Sequence, residues 1–149
     1  MCIEKKYFKP ILLASIAATI ASFILHNIGS LLTMDYYANP AYSAIWSKIM
    51  MPAPGPPPLS FFIYALAFGL VECLIFASAY AILMKSIPGK TKTGKGLNYG
   101  ALLFLLSNVP GSLAMYLLLS VPAVIIGIWA VEGLVVMLVS GLIFAKMIK

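Results

Sequence analysis

The chain has 149 residues, of which 62% are hydrophobic and only 9% charged. Soluble domains run at roughly 45–50% apolar usage, so this composition, with a mean hydropathy of +1.03, belongs in a bilayer. All ten basic residues are lysines set against four acids, for a formal net charge of +6. They lie on tails and short connections, which excludes the folded basic surface that nucleic acid requires.

Four stretches reach the roughly 20 apolar residues needed to cross about 30 Å of hydrocarbon: about 11–33, 59–84, 97–119 and 122–145. None alternates with the period of two of a barrel strand, and backbone groups in lipid must be satisfied internally, so each is read as a helix. The predicted fold is an all-α membrane protein, a four-transmembrane-helix bundle forming a single domain over 1–149.

Lys5, Lys6 and Lys9 precede the first apolar run, as in a signal peptide. The run exceeds an h-region of 7–15 residues and has no clear cleavage site, so it reads as a signal anchor. Cys2 is a weak candidate for acylation. Within the run, Ala14, Ala18, Ser22, His26 and Ser30 recur every four residues and give one helix face suited to close approach.

The connection from 34 to 58 is the one sizeable non-spanning element. Asn39 reads as an N-cap with Pro40 at the first helical position, and Tyr42, Ile45, Trp46, Ile49 and Met50 follow at helical spacing. This predicts a short amphipathic helix over about 40–51, seated in the outer interface and anchored by Tyr42 and Trp46, as a plug over the bundle in preference to a docking surface for a partner. Pro52 ends it, and Pro54-Gly55-Pro56-Pro57-Pro58 reads as an extended spacer.

The second span carries its own small-residue ladder, Gly69, Cys73, Ala77 and Ala81, which can meet either the first ladder or a second subunit. Cys73 at mid-membrane and Cys2 in the tail cannot pair, and Cys73 reads as a packing residue. The next loop, Gly89-Lys90-Thr91-Lys92-Thr93-Gly94-Lys95-Gly96, nearly matches a phosphate-binding loop. Gly96 replaces the Mg-binding hydroxyl and no strand precedes it, so no nucleotide is expected. Lys85, Lys90, Lys92 and Lys95 instead read as headgroup-facing lysines in contact with membrane lipids.

In the third span, Pro110 of Asn108-Val109-Pro110-Gly111-Ser112 removes a backbone donor and crowds the Leu106 carbonyl, predicting a kink or local widening. Nine of the ten lysines fall on one side of this topology, only Lys48 on the other. That bias places both termini in the cytoplasm of a multi-pass cell-membrane protein.

Glu72 and Glu132 lie near the centres of the second and fourth spans, in Val71-Glu72-Cys73-Leu74 and Val131-Glu132-Gly133-Leu134. Leu25-His26-Asn27-Ile28-Gly29-Ser30-Leu31 similarly matches Leu106-Ser107-Asn108-Val109-Pro110-Gly111-Ser112-Leu113 if Pro110 is an insertion. The two hairpins differ by about the length of the outer connection, the pattern of a tandem repeat about an axis along the membrane normal.

A carboxylate at mid-membrane costs a few kcal/mol, about 2.5–3.5 on insertion scales, and needs a partner, a proton or a wet cavity. Two brought together cannot easily both ionise. Glu72, Glu132, Asn108, His26 and Asn27 are therefore the candidate ligand- or ion-binding residues of a polar mid-membrane cavity, serving transport, proton or ion passage, or small-ligand binding. The alternatives are hydrogen bonds that only fix helix register, and an accessory subunit whose acids meet a neighbour in a homo-oligomer or larger membrane complex. A metal set of His26, Glu72 and Glu132 lacks the Glu-x-x-His pairs of di-iron bundles, and no metal or other cofactor is expected. No Ser or Cys has an evident base in reach, which disfavours an enzyme and leaves no candidate catalytic residue.

The order of Gly69, Ile87-Pro88-Gly89, Lys95-Gly96-Leu97-Asn98-Tyr99-Gly100, Pro110 and Glu132-Gly133 resembles small prokaryotic four-helix integral membrane proteins of unknown function. The resemblance covers about residues 60–149. It implies a four-helix bundle and carries no activity or site residues.

Overall fold

Proline, threonine and glycine set the ends of the long helices. A computed structural model describes residues 4–53 and 56–149; Cys2, and Pro54 and Gly55 of the expected spacer, lie outside the described residues. Helix α1 runs Phe8–Leu32, with Pro10 in the first turn, where a missing backbone N–H leaves no intrahelical bond unmade. It ends at Thr33, whose N–H donates to Ser30 O at 3.2 Å, and a short helix α2, Met34–Ala38, follows. Helix α3, Leu59–Leu83, starts directly after Pro58.

The third span begins earlier than its apolar run suggests. Thr91 caps α4, Lys92–Leu103, by accepting from Gly94 N–H at 3.1 Å, so the helix opens inside the basic loop. Gly89, at φ +142°, makes the turn just before it, in the region that favours glycine. A π-helical turn, Phe104–Asn108, then leads into α5, Val109–Leu118. This is the widening expected at Pro110: the extra residue in the turn absorbs the missing donor and the crowded carbonyl. Helix α6, Ala123–Met147, follows a short reversal ending at Pro122.

Four helices are thus long and apolar enough to cross a membrane: Lys5–Leu32, Leu59–Leu83, the run Lys92–Leu118 and Ala123–Met147. The chain is a multi-span helical membrane protein with an all-α bundle fold. Helices α1 and α6 form its centre, α3 packs on α1, and α4 packs on α6. The small-residue ladders meet each other: Ser15 Oγ donates to Cys73 O at 3.2 Å, and Ala14, Ala18, Cys73 and Ala77 are all buried in one cluster. The α4–α6 contact is closer still. A β-carbon on Gly100 would fall 2.5 Å from Met137 O, and one on Gly96 would fall 2.8 Å from Leu142 Cα. Gly96 and Gly100 are spaced as in the small-xxx-small motif, which lets two backbones touch.

The second and third spans do not pack along one another. Tyr99 bridges them at the lysine-bearing end, its hydroxyl donating to Phe76 O at 2.7 Å and its ring edge-on to Tyr80 at 5.1 Å. Phe144 and Ile148 complete this aromatic core.

The predicted amphipathic helix over 40–51 is replaced by a string of tight turns. Asn39 does cap, accepting from Ala41 N–H at 2.9 Å, but only the 3-10 turn Pro40–Tyr42 follows. Ser47 Oγ accepts from Met50 N–H at 3.2 Å, a local bond that competes with helix continuation. Ile45 and Trp46, with Tyr36 and Trp129, pack on the buried Val121, Ile125 and Ile126, so the segment caps the end of α6 away from the lysines. The Trp46 ring lies 4.7 Å from Tyr37 and 6.2 Å from Trp129.

Candidate intramembrane polar site

Helix rotation decides which polar side chains meet. His26 is the next position after Ser22 on the α1 stripe, and that stripe turns from α3 toward α6: Ser22 Oγ lies 3.5 Å from Ser140 Oγ. One turn further along, His26 Nδ1 hydrogen-bonds Glu132 Oε1 across the α1–α6 contact. The two side chains differ in access, the imidazole being 60% exposed and the carboxylate 13%.

Glycines make the room. The Glu132 carboxylate occupies the space that a β-carbon on Gly29 would fill, and the Asn108 amide occupies the same space over Gly133. Asn108 in turn accepts a long bond from Ser112 Oγ at 3.5 Å. A polar line therefore joins two helices, His26 on α1 to Glu132 on α6, and Asn108, at the end of the π turn, abuts the next residue of α6, Gly133, without a hydrogen bond to Glu132 among the described residues.

The other candidates stand apart from this line. Asn27 is exposed and donates to Phe23 O of its own helix at 2.7 Å, so it does not mirror Asn108. Glu72 is exposed on α3, and no hydrogen bond or ion pair is formed by its carboxylate among the described residues. It lies one turn before Phe76, the residue at which Tyr99 bridges the second and third spans. The two glutamates share a local sequence but not an environment, Glu132 being mostly covered and Glu72 exposed, and they do not share one enclosure. Among the described residues, no group of three His, Cys, Asp or Glu side chains gathers to hold a metal.

Of the interface anchors, Trp46 is half-buried in the cap over α6, and its covered indole N–H has no hydrogen-bond partner among the described residues. Tyr42 is half-buried, tilted against Tyr36 at 6.2 Å. Lys85, Lys90 and Lys92 are exposed. Lys95 is drawn inward, its Nζ donating to Met84 O at 3.0 Å just past the end of α3, where orphan carbonyls favour a cation.

Gly29 and Gly133 are the site residues that sequence reasoning missed. Their signal was present, each lying within three positions of a polar partner, but a glycine in a membrane helix reads equally as generic packing. No known protein family, curated protein or solved structure matches the chain.

Proposed function

We propose that the His26–Glu132 pair is the centre of a proton- or cation-handling site in a non-enzymatic, multi-span membrane protein, oriented with its lysine-bearing end in the cytoplasm. The observation that carries this reading is the asymmetry of the pair. A mostly covered carboxylate is bonded to an imidazole that the rest of the chain leaves largely uncovered, so the pair reaches from inside the bundle to its surface. Asn108 and Ser112 place a further pair of hydrogen-bonding groups against Gly133, the residue next to Glu132. Polar groups of this kind at mid-membrane depth are functional by default, because interhelical bonds alone return little stability.

The test is proton flux in proteoliposomes loaded with a pH-sensitive dye. Glu132→Gln and His26→Gln are expected to abolish the flux while the helical circular dichroism is unchanged. Wild-type flux in both variants would sink the proposal.

One observation favours a second reading, that the chain is an accessory subunit of a larger membrane complex. Glu72 is an exposed acid close to the middle of its span, and lipid alone satisfies it poorly. On this reading Glu72→Leu releases a co-purifying membrane neighbour that Glu72→Gln retains. Equal retention by both variants removes the case.

A further inference from the structure

At the lysine-bearing end, away from the polar line, α1 and α6 border a groove of about 350 Å³ lined by Lys9, Pro10, Leu13, Lys146, Met147 and Lys149. We propose that this groove binds the phosphate of an anionic phospholipid. Three lysines line one opening, and an anion shared by their side chains would turn the repulsion between like charges into attraction. None of the three is paired with an acid among the described residues, whereas the nearby Lys6 is held by Glu4 at 2.7 Å.

The groove is also two-sided in chemistry. Lys9 and Leu13 are one helical turn apart, and exposed Ile16 and Ile20 continue the same face of α1 into the apolar span. A phosphate among the lysines therefore has its glycerol and acyl chain directed along Leu13, Ile16 and Ile20. Inorganic phosphate would satisfy the lysines and leave that apolar wall uncovered. The lysine count and the position at a span end fit an interfacial headgroup, to which each nearby lysine contributes about fivefold in affinity.

The experiment titrates the purified protein, in neutral detergent, with phosphatidylglycerol, phosphatidylcholine or inorganic phosphate, and counts retained lipid by native mass spectrometry. Phosphatidylglycerol is expected to be retained and phosphatidylcholine lost. The combined variant K9Q/K146Q/K149Q should weaken retention by about a hundredfold, the product of three such contributions. Removing equal charge from the loop, with K85Q/K90Q/K92Q, should leave it within about fivefold. Equal losses in the two variants would mean diffuse attraction to the lysine end and would overturn the site. Displacement of the lipid by millimolar inorganic phosphate would assign the groove to a free anion instead. Should the groove variant fail to fold, the Met147 methyl resonance of the wild-type protein decides: a shift with phosphatidylglycerol and none with phosphatidylcholine supports the proposal, and no shift with either overturns it.

Discussion

The carboxyl group of Glu132 sits where the β-carbon of Gly29 would be, so the absence of a side chain at one position on α1 is what admits a polar group from α6. His26, one turn earlier on α1, then meets that carboxylate. Removing the notch should separate two effects that usually travel together. In Gly29→Ala the atoms displaced are the far end of a flexible side chain, so the backbone contact between α1 and α6 has no cause to open. The loss of the interhelical bond, about 1 kcal/mol, is partly offset by the roughly 0.5–1 kcal/mol that alanine gains over glycine within a helix. Net stability should therefore change little, while His26 loses its partner. The chain has a single histidine, so its imidazole nitrogen resonances report the pair without ambiguity. Unchanged resonances in Gly29→Ala would show that the notch is not what holds Glu132.

The His26–Glu132 bond itself should be a modest stabiliser. In a double-mutant cycle with His26→Ala and Glu132→Ala, followed by thermal unfolding in detergent, a coupling of about 0.5–2 kcal/mol is expected. Coupling near zero would mean that each side chain finds another partner when its mate is gone.

Glycines on the other side of α6 behave differently, because what they face cannot move. A β-carbon on Gly100 meets the Met137 carbonyl at 2.5 Å and Leu138 Cα at 2.7 Å, both backbone atoms. Gly100→Ala must push α4 and α6 apart along their closest contact. The expected destabilisation is about 1–3 kcal/mol, as for overpacking generally. It is read as a lowered unfolding midpoint alongside the near-neutral Gly29→Ala, and equal midpoints for the two variants would contradict the distinction between side-chain and backbone obstruction.

Much of the architecture follows from quantities a sequence carries directly. The four spans are set by length and hydropathy, and the widening before Pro110 follows from a missing N–H. Two boundaries moved for local reasons: Thr91 starts α4 in a polar stretch that an apolar window passes over, and Ser47 turns a segment whose aromatic spacing is helical. The site was less legible. Glu72 and Glu132 have near-identical neighbours, yet one is exposed and the other is covered and bonded, because helix rotation is set by packing elsewhere: Ser15 on Cys73 for α3, Gly96 and Gly100 on Gly141 for α6. Those contacts are non-local, and the tetrapeptide around a glutamate holds no record of them.

Tyr99 carries the join between the second and third spans. Its hydroxyl donates to the Phe76 carbonyl of α3, to which the third span is also tied at the lysine-bearing end by Lys95 Nζ and Met84 O, and the residue is only 1% exposed, its ring edge-on to Tyr80 and Phe144. Tyr99→Phe keeps the ring and removes the one hydrogen bond, at an expected cost of about 0.5–1.5 kcal/mol. The larger consequence should be geometric. Lys95 still ties the lysine-bearing ends together, so the opposite ends of these spans, which do not pack along one another, are the ones free to spread once the hydroxyl bond is lost. Spin labels at the exposed positions Leu59 and Leu117, introduced as cysteines with Cys73 replaced by alanine and Cys2 by serine, report that separation. A broader and longer distance distribution in Tyr99→Phe is expected, with the α1–α6 separation unchanged as the internal control. An unaltered distribution would mean that the aromatic stack alone holds the spans, and would assign the hydroxyl no role in the spacing.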